Sequence, residues 1–139
     1  MKTSTASAFL DTNILVYAAM GRGTEERKRA RAEVLLSEGD FATSGQVLQE
    51  FYTVVTRKGV PLSPAQAFLW IERLVRFPCV PVDAAVVVEA IAISERYRIS
   101  YWDGAILAAA ESVDAATLYT EDLNHSQLYG SVRVINPFL

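Results

Sequence analysis

The sequence is poor in the side chains that most often act as soft metal ligands or nucleophiles: among 139 residues it has one Cys and one His. A single thiol excludes an intramolecular disulfide framework, and Cys79 in the apolar segment FPCVPV is expected to be buried as a small apolar residue. The lone His125 lies in the polar segment NHSQ, where a solvent-facing loop residue is a better interpretation than a general acid. Because no GxSxG motif is present either, a Ser-His-Asp hydrolase is not expected.

Long apolar runs and glycine-rich phosphate loops are also missing. The longest apolar stretch, AAVVVEAIAI, contains Glu89 and is far too short to span a bilayer. The first residues, MKTSTASAF, lack the apolar core of a signal peptide. We therefore expect a cytoplasmic protein without membrane association. Neither GxxxxGK[ST] nor GxGxxG occurs, which argues against nucleotide-binding loops of those kinds.

The chain has no excess of positive charge. Its formal net charge is −3, so contact with nucleic acid would require a local basic patch. One segment has a candidate patch, formed by Arg22, Arg27, Lys28, Arg29 and Arg31. The same segment is equally typical of a solvated helix face whose charge is balanced by neighbouring glutamates.

The residues that are present indicate an ordinary globular protein. The hydrophobic content is 51%, the charged content is 21%, and the length fits a single domain over residues 1–139. Short apolar segments of strand character alternate with helical segments along the chain. This order predicts the α/β class, as a three-layer domain with a mainly parallel central sheet flanked by helices.

Capping residues predict where several of the helices begin. Thr24 is expected to cap a helix from about Glu25 to Ser37, with Ala30, Val34 and Leu35 facing inward and Gly39 ending it. The predicted caps of the later helices are Ser44, Ser63 in a capping box with Gln66, Asp83 and Ser100. The helix after Ser44 is expected to end near Lys58 and Gly59, and the one after Ser63 near Phe77.

Four acidic residues stand beside apolar segments, where a solvated surface charge is not expected. Asp11 and Asp122 directly follow predicted strands, Asp103 lies in the first turn of a helix, and Glu50 lies at the margin of an apolar helix stripe. Ligands of parallel sheets bind beyond the carboxyl ends of the strands, so one rim of the sheet could receive all four. Carboxylates brought together repel one another unless a cation neutralises them. An oxygen-only set suits Mg²⁺ or Mn²⁺ and predicts metal-dependent phosphodiester hydrolysis.

Each acid taken alone also has a structural explanation. Asp11 could cap the helix that follows it, Asp103 could help to cap its own helix, and Asp122 could form a turn with Asn124. Glu50 could point outward into solvent. All four together, at positions that an α/β fold can gather, are harder to explain as caps.

The segments FLDTNILVYA, QVLQEFYTVVTRK, YWDGAILAAA and LYTEDLNHSQ resemble, in order, the successive acidic motifs of the PIN-domain ribonucleases. The size and the DTN start most resemble VapC-type toxins of bacterial toxin-antitoxin pairs. The resemblance implies that Asp11, Glu50, Asp103 and Asp122 are the catalytic, metal-binding acids. It further implies supporting polar roles for a second set, Thr12, Asn13, Ser44 and Thr120.

The same resemblance implies a biological setting. It suggests Mg²⁺-dependent cleavage of RNA, with Mn²⁺ as a possible substitute, leading to inhibition of translation and growth. It also implies a homodimer and a small cognate antitoxin protein that covers the acidic groove.

Two other functions stay open at this stage. A haloacid-type phosphatase also begins with an Asp after its first strand, but it would need a second Asp where Asn13 stands. An inactive module of the same fold could bind RNA or protein only, although such a module would have no need to keep four acids.

Overall fold

The computed structural model describes residues 5–59 and 62–139, arranged around a central six-stranded sheet. The strands are β1 Ala8–Leu10, β2 Phe41–Ser44, β3 Cys79–Val80, β4 Thr117–Tyr119, β5 Leu128–Tyr129 and β6 Val132–Ile135. Their order across the sheet is β3-β2-β1-β4-β6-β5, and all neighbours are parallel except β5 and β6. The predicted α/β class with a mainly parallel sheet is confirmed. The first four residues of the segment considered as a signal peptide lie outside the described residues.

Helices flank this sheet. The α-helices of the described chain are α1 Thr12–Met20, α2 Glu26–Glu38, α3 Gly45–Val55, α4 Pro64–Leu74, α5 Ala84–Tyr97 and α6 Tyr101–Ser112. Within residues 5–59 and 62–139, none of them combines the length and the apolar character needed to cross a bilayer.

Four of the predicted helix caps are present as hydrogen bonds. The side chains of Ser44, Asp83 and Ser100 each accept from the backbone N–H three residues later. Ser63 and Gln66 form the complete reciprocal capping box. These helix starts were predictable because a cap satisfies donors of its own first turn and needs no tertiary partner.

The predicted start of α2 is wrong. Thr24 lies inside a 3₁₀ turn, and α2 begins at Glu26 without a side-chain cap. Ala30 and Val34 are exposed, while Ala32 and Leu35 are buried. Because α2 packs mainly against α1, it buries only one narrow stripe of side chains. So few buried positions in a polar helix leave little apolar periodicity in the sequence from which to predict the inward face.

Two helix ends and one strand also differ from the prediction. α3 ends at Val55, before Lys58, and α4 ends at Leu74, before Phe77. Pro78 accounts for the second difference in part, because a residue that precedes proline is disfavoured in helical conformation. Strand β5 was not predicted, since two residues are too few to show alternation; it returns to β6 through Gly130, whose φ of 60° suits glycine.

The hydrophobic core fills the space between the sheet and the helices. Phe9 and Leu10 of β1, Leu118 of β4, Phe51 of α3 and Leu107 of α6 are essentially inaccessible. Helix α6 is buried from Gly104 to Ala110, as its nearly uniform apolar composition predicted. This packing holds the carboxyl ends of β1 and β4 side by side.

Candidate active site

Asp11 is fixed at the carboxyl end of β1, beside the end of β4. Its backbone N–H donates to the Tyr119 carbonyl over 3.1 Å. Its Oδ1 accepts from the Thr12 N–H at 2.7 Å and its Oδ2 accepts from the Thr120 hydroxyl at 2.8 Å. Asp11 therefore caps α1, as the structural explanation predicted, and is also oriented by Thr120.

The environment of Asp11 opposes an isolated negative charge. Burial raises the pKa of Asp11 to about 6; the hydrogen bonds from Thr120 and Thr12 lower it, while the charges of Asp122 and Glu50 raise it further. The residue is 7% exposed, so water screens little of this repulsion. A bound cation would relieve it.

Glu50 is exposed on α3, and its carboxylate is turned toward Thr12 and Asp11. Its Oε2 accepts from the Thr12 hydroxyl at 3.1 Å, and its Oε1 accepts from Gln46 Nε2 at 2.9 Å. Gln46 was not identified from the sequence. Its position one helical turn before Glu50 is the signal that could have indicated it, because residues four apart on a helix are neighbours.

Asp122 approaches from the segment after β4. Its Oδ2 accepts from Asn13 Nδ2 at 3.1 Å, and its backbone N–H donates to the Thr120 hydroxyl at 3.1 Å. Burial raises the pKa of Asp122, the charges of Asp103 and Glu50 add to the rise, and the hydrogen bond from Asn13 opposes it. The Asp122 carboxylate thus accepts from Asn13 rather than closing an Asx-turn with Asn124, whose side chain donates to Gln127 at 2.8 Å.

The neighbouring acid Glu121 faces a different network. It accepts from the Tyr17 hydroxyl at 2.6 Å and from Lys28 Nζ at 3.0 Å, and the Lys28 ammonium lies 4.7 Å from the centre of the Tyr17 ring. Burial, together with Glu121, raises the pKa of Tyr17. Of the two adjacent acids, Asp122 is thus the one directed toward Asp11. The network joins residues far apart in the chain, so no local sequence pattern predicted it.

One groove of about 440 Å³ contains most of the predicted site residues. Its acidic end is lined by Asp11, Thr12, Asn13, Glu50 and Asp122. Asp103 does not line the groove; it is placed near enough to Asp122 to raise the pKa of that carboxyl. Ser44 contributes a helix cap and also lies outside the groove lining.

The donors at this end suit a hard divalent cation by type. Asn13 Oδ1 is buried, has no hydrogen-bond partner among residues 5–59 and 62–139, and adds an amide oxygen to the carboxylates. Within the described residues, no three or more Asp, Glu, His or Cys side chains already stand at the spacing of a closed metal shell. Carboxylates repel one another, so a cation that neutralises them would favour a closer approach of these side chains.

The basic segment around α2 serves the fold. Arg27 donates to the Phe138 carbonyl at 3.0 Å and Arg31 to the Pro137 carbonyl at 3.2 Å, which fastens α2 to the C-terminal residues. Arg29 pairs with Glu26 at 3.0 Å, as the balanced-charge interpretation predicted.

The remaining singled-out side chains have structural surroundings. His125 is exposed and its Nδ1 accepts from the Asn136 N–H at 2.9 Å. Cys79 is partly buried in β3, and burial raises the pKa of its thiol.

Comparison with known proteins agrees with this arrangement. The family model described as PIN domain matches residues 8–131. A search of curated proteins finds no match. Among solved structures, a toxin-antitoxin complex from Klebsiella pneumoniae is 21% identical, with a TM-score of 0.71 over 94% of this chain and 98% of that chain.

Two further structures extend the comparison. VapC20 of Mycobacterium tuberculosis, described as a sarcin-ricin loop cleaving toxin, is 19% identical, with a TM-score of 0.67 over 84% of this chain and 90% of its own. VapBC2 of Rickettsia felis, bound to a DNA fragment from its promoter, is 20% identical, with a TM-score of 0.62 over 91% of this chain and 96% of its own. From the family match over most of its length, the chain belongs to the PIN-domain family.

Proposed function

We propose that the protein is a divalent-metal-dependent endoribonuclease that hydrolyses RNA phosphodiester bonds. The catalytic and metal-binding acids of this proposal are Asp11, Glu50, Asp103 and Asp122. The observation that carries it is the meeting of Asp11, Glu50 and Asp122 in one groove at the carboxyl ends of β1 and β4. PIN domains of VapC toxins are nucleases, and PIN nucleases generally use divalent metal ions.

The residues of the groove have distinct parts in this proposal. Asp11, Glu50 and Asp122, with Asn13 Oδ1, are the oxygen donors for Mg²⁺ or Mn²⁺, and Asp103 adds negative charge beside Asp122. A divalent ion supplies charge neutralisation at the phosphate and a more acidic water. Thr12 and Thr120 hold the Glu50 and Asp11 carboxylates by hydrogen bonds, and Gln46 keeps Glu50 turned toward the groove.

The contacts of Asn13 favour this reaction over a phosphatase. Its Nδ2 donates to the Asp122 carboxylate, so position 13 supplies a hydrogen-bond donor where an aspartyl phosphatase needs an acid. The ordered hydrogen bonds to Asp11 and Glu50 also weigh against an inactive binding module.

The proposal includes the biological partners of a toxin. A cognate antitoxin protein would inhibit the enzyme, the working unit would be a homodimer, and free enzyme would inhibit translation and growth. The support is that the similar structures are described as toxin-antitoxin complexes, some of them bound to DNA.

A cleavage assay tests the nuclease proposal. Purified protein is incubated with end-labelled RNA in EDTA, and then with added Mg²⁺ or Mn²⁺. We expect no cleavage in EDTA, recovery with either ion, and no cleavage by Asp11→Asn under any condition. Undiminished cleavage in EDTA, or equal cleavage by Asp11→Asn, would contradict the proposal. Induced expression of the wild type and of Asp11→Asn compares their effects on growth.

A further inference from the structure

The acidic groove continues between α1 and α3, away from the strand ends. Helix α1 lines it with Asn13, Val16, Tyr17 and Met20, which recur at three- and four-residue intervals and so share one face. Helix α3 and the turn after it contribute Glu50, Val54 and Arg57, again at intervals of four and three residues. The groove therefore runs between one face of α1 and the second half of α3.

The character of the groove changes along its length. Asp11, Glu50 and Asp122 occupy one end, and Val16, Met20 and Val54 form an apolar middle. Arg57 lies beyond them, seven residues after Glu50 and two residues past Val55, where α3 ends. Glu25, from the 3₁₀ turn before α2, lines the groove as well.

Arg57 is the basic residue among those that line this groove. It is exposed, and within the part of the chain that the structure describes it makes no hydrogen bond or ion pair. The basic residues on α2 are committed elsewhere, because Arg27 and Arg31 bind C-terminal carbonyls and Lys28 binds Glu121. Arg57 is thus the cation that lines the groove, and it has no hydrogen-bond or ion-pair partner among the described residues.

An RNA strand in this groove meets opposite charges at its two ends. The Asp11 and Glu50 carboxylates repel phosphates, and the apolar middle cannot solvate one, although it can pack against the face of a base. A guanidinium binds phosphate oxygens through paired N–H groups. We infer that Arg57 contacts a backbone phosphate adjacent to the cleaved one, with the intervening base lying over Val16, Met20 and Val54. This inference rests on the proposed ribonuclease function.

RNA binding measured without cleavage tests the inference. In an Asp11→Asn background, the fluorescence anisotropy of a labelled single-stranded RNA oligonucleotide is followed over a series of KCl concentrations. Arg57→Gln should raise Kd on the order of tenfold and reduce the slope of log K against log salt by about 0.7, the value for one phosphate contact on a single strand. Arg57→Lys should retain much of the affinity, and Glu25→Gln should increase it.

Arg76→Gln is the matched control, because Arg76 is an exposed arginine that does not line the groove. It should change neither Kd nor the salt slope. In the otherwise wild-type chain, Arg57→Gln should raise KM while changing kcat little, as expected for loss of uniform binding. Thermal melting of each variant verifies that it is folded.

The outcomes separate the two proposals. If the wild type cleaves RNA with metal but Arg57→Gln binds and cleaves like Arg76→Gln, the inference is overturned and the nuclease function stands. If the wild type neither binds nor cleaves RNA with Mg²⁺ or Mn²⁺, the proposed function fails and the inference fails with it. Should Arg57→Gln melt early, Arg57→Lys and Glu25→Gln decide the question: retained affinity in the first and increased affinity in the second support the inference, and unchanged affinity of Glu25→Gln overturns it.

Discussion

At the scale of single residues, Asp11 is both the cap of a helix and an acid of the groove, two roles that usually belong to different side chains. It caps α1 through the Thr12 N–H, and it is held in the groove by the Thr120 hydroxyl. The cap alone would be served equally well by Asn or Ser. The negative charge is useful only to a bound cation, because burial and two neighbouring carboxylates otherwise oppose it.

The cost of a negative charge on the buried Asp11 carboxyl predicts that stability depends on pH. Burial raises the Asp11 pKa from 3.8 to about 6, so the folded state holds this proton more tightly than the unfolded state. The resulting stabilisation is complete below about pH 4 and is lost as pH rises through about 6; for Asp11 alone it amounts to about 3 kcal/mol. Urea unfolding measured in EDTA should show that the free energy of unfolding falls as the pH rises through this range.

Asp11→Asn provides the control for this dependence. It should make the free energy of unfolding depend less on pH, and should raise that free energy near pH 7 by roughly 1–3 kcal/mol, since Asn keeps the cap but not the charge. Asp122, whose pKa is also raised by burial, should leave part of the slope in place. Identical slopes for the two proteins would contradict this account of Asp11.

Asp103 tests whether an acid outside the groove lining is still needed. Asp103→Asn should leave the free energy of unfolding within about 0.5 kcal/mol of the wild type, because its Ser100 cap uses the backbone N–H and stays intact. RNA cleavage and growth inhibition should be abolished. Asp83→Asn, at the cap of α5, is the matched control and should alter neither property. Full activity of a well-folded Asp103→Asn would remove Asp103 from the proposed metal site.

At the scale of elements, α6 depends on a close approach to α5. Gly104 lies one residue after Asp103, and a Cβ there would stand 2.6 Å from the Ala90 carbonyl oxygen. The obstacle is backbone, so it cannot yield by a rotamer change. The distance between these two helices therefore determines where Asp103 is presented.

We expect Gly104→Ala to destabilise the fold by about 2 kcal/mol or more, because overpacking against a rigid carbonyl forces the helices apart. Gly45→Ala is the comparison, since its added Cβ would meet a movable Val82 methyl group at 3.2 Å. Gly45→Ala should lower the free energy of unfolding clearly less than Gly104→Ala does. Chemical unfolding of both variants measures the difference, and equal losses would contradict the assigned role of the α5–α6 contact.

At the scale of the whole molecule, metal binding and folding stability should be linked. An ion that binds the folded groove but not the unfolded chain raises the free energy of unfolding by RT ln(1 + [L]/Kd), or about 2.7 kcal/mol at one hundred times Kd. The relief of repulsion at Asp11 favours this effect at neutral pH. Thermal melting should thus show a rise in Tm with increasing Mn²⁺ or Mg²⁺.

The control for this linkage is Asp11→Asn, which should show a much smaller rise because it lacks both the charge and the repulsion. K⁺ at matched ionic strength should not reproduce the rise, since screening of exposed charges does not reach a buried carboxylate. A wild-type Tm that is indifferent to Mn²⁺ would count against metal binding in this groove.

Features that depend on neighbours in the chain were determined by the sequence itself. The alternation of strands and helices, the caps at Ser44, Ser63, Asp83 and Ser100, and the position of Asp11 at a strand end all follow from local patterns. The ordered acidic motifs also indicated the family correctly. Local hydrogen bonds and short-range periodicity suffice for these, because their energy is gained within one or two turns.

Only the tertiary structure decided how side chains from distant segments meet. It turned Glu121 toward Tyr17 and Lys28, left Asp122 in the groove with Asn13, and directed Arg27 and Arg31 of the basic segment to C-terminal carbonyls. It also placed Asp103 outside the groove lining and Arg57 within it. These outcomes depend on the direction of side chains at contacts between segments far apart in sequence. Packing, burial and charge there decide among arrangements that the local sequence permits equally.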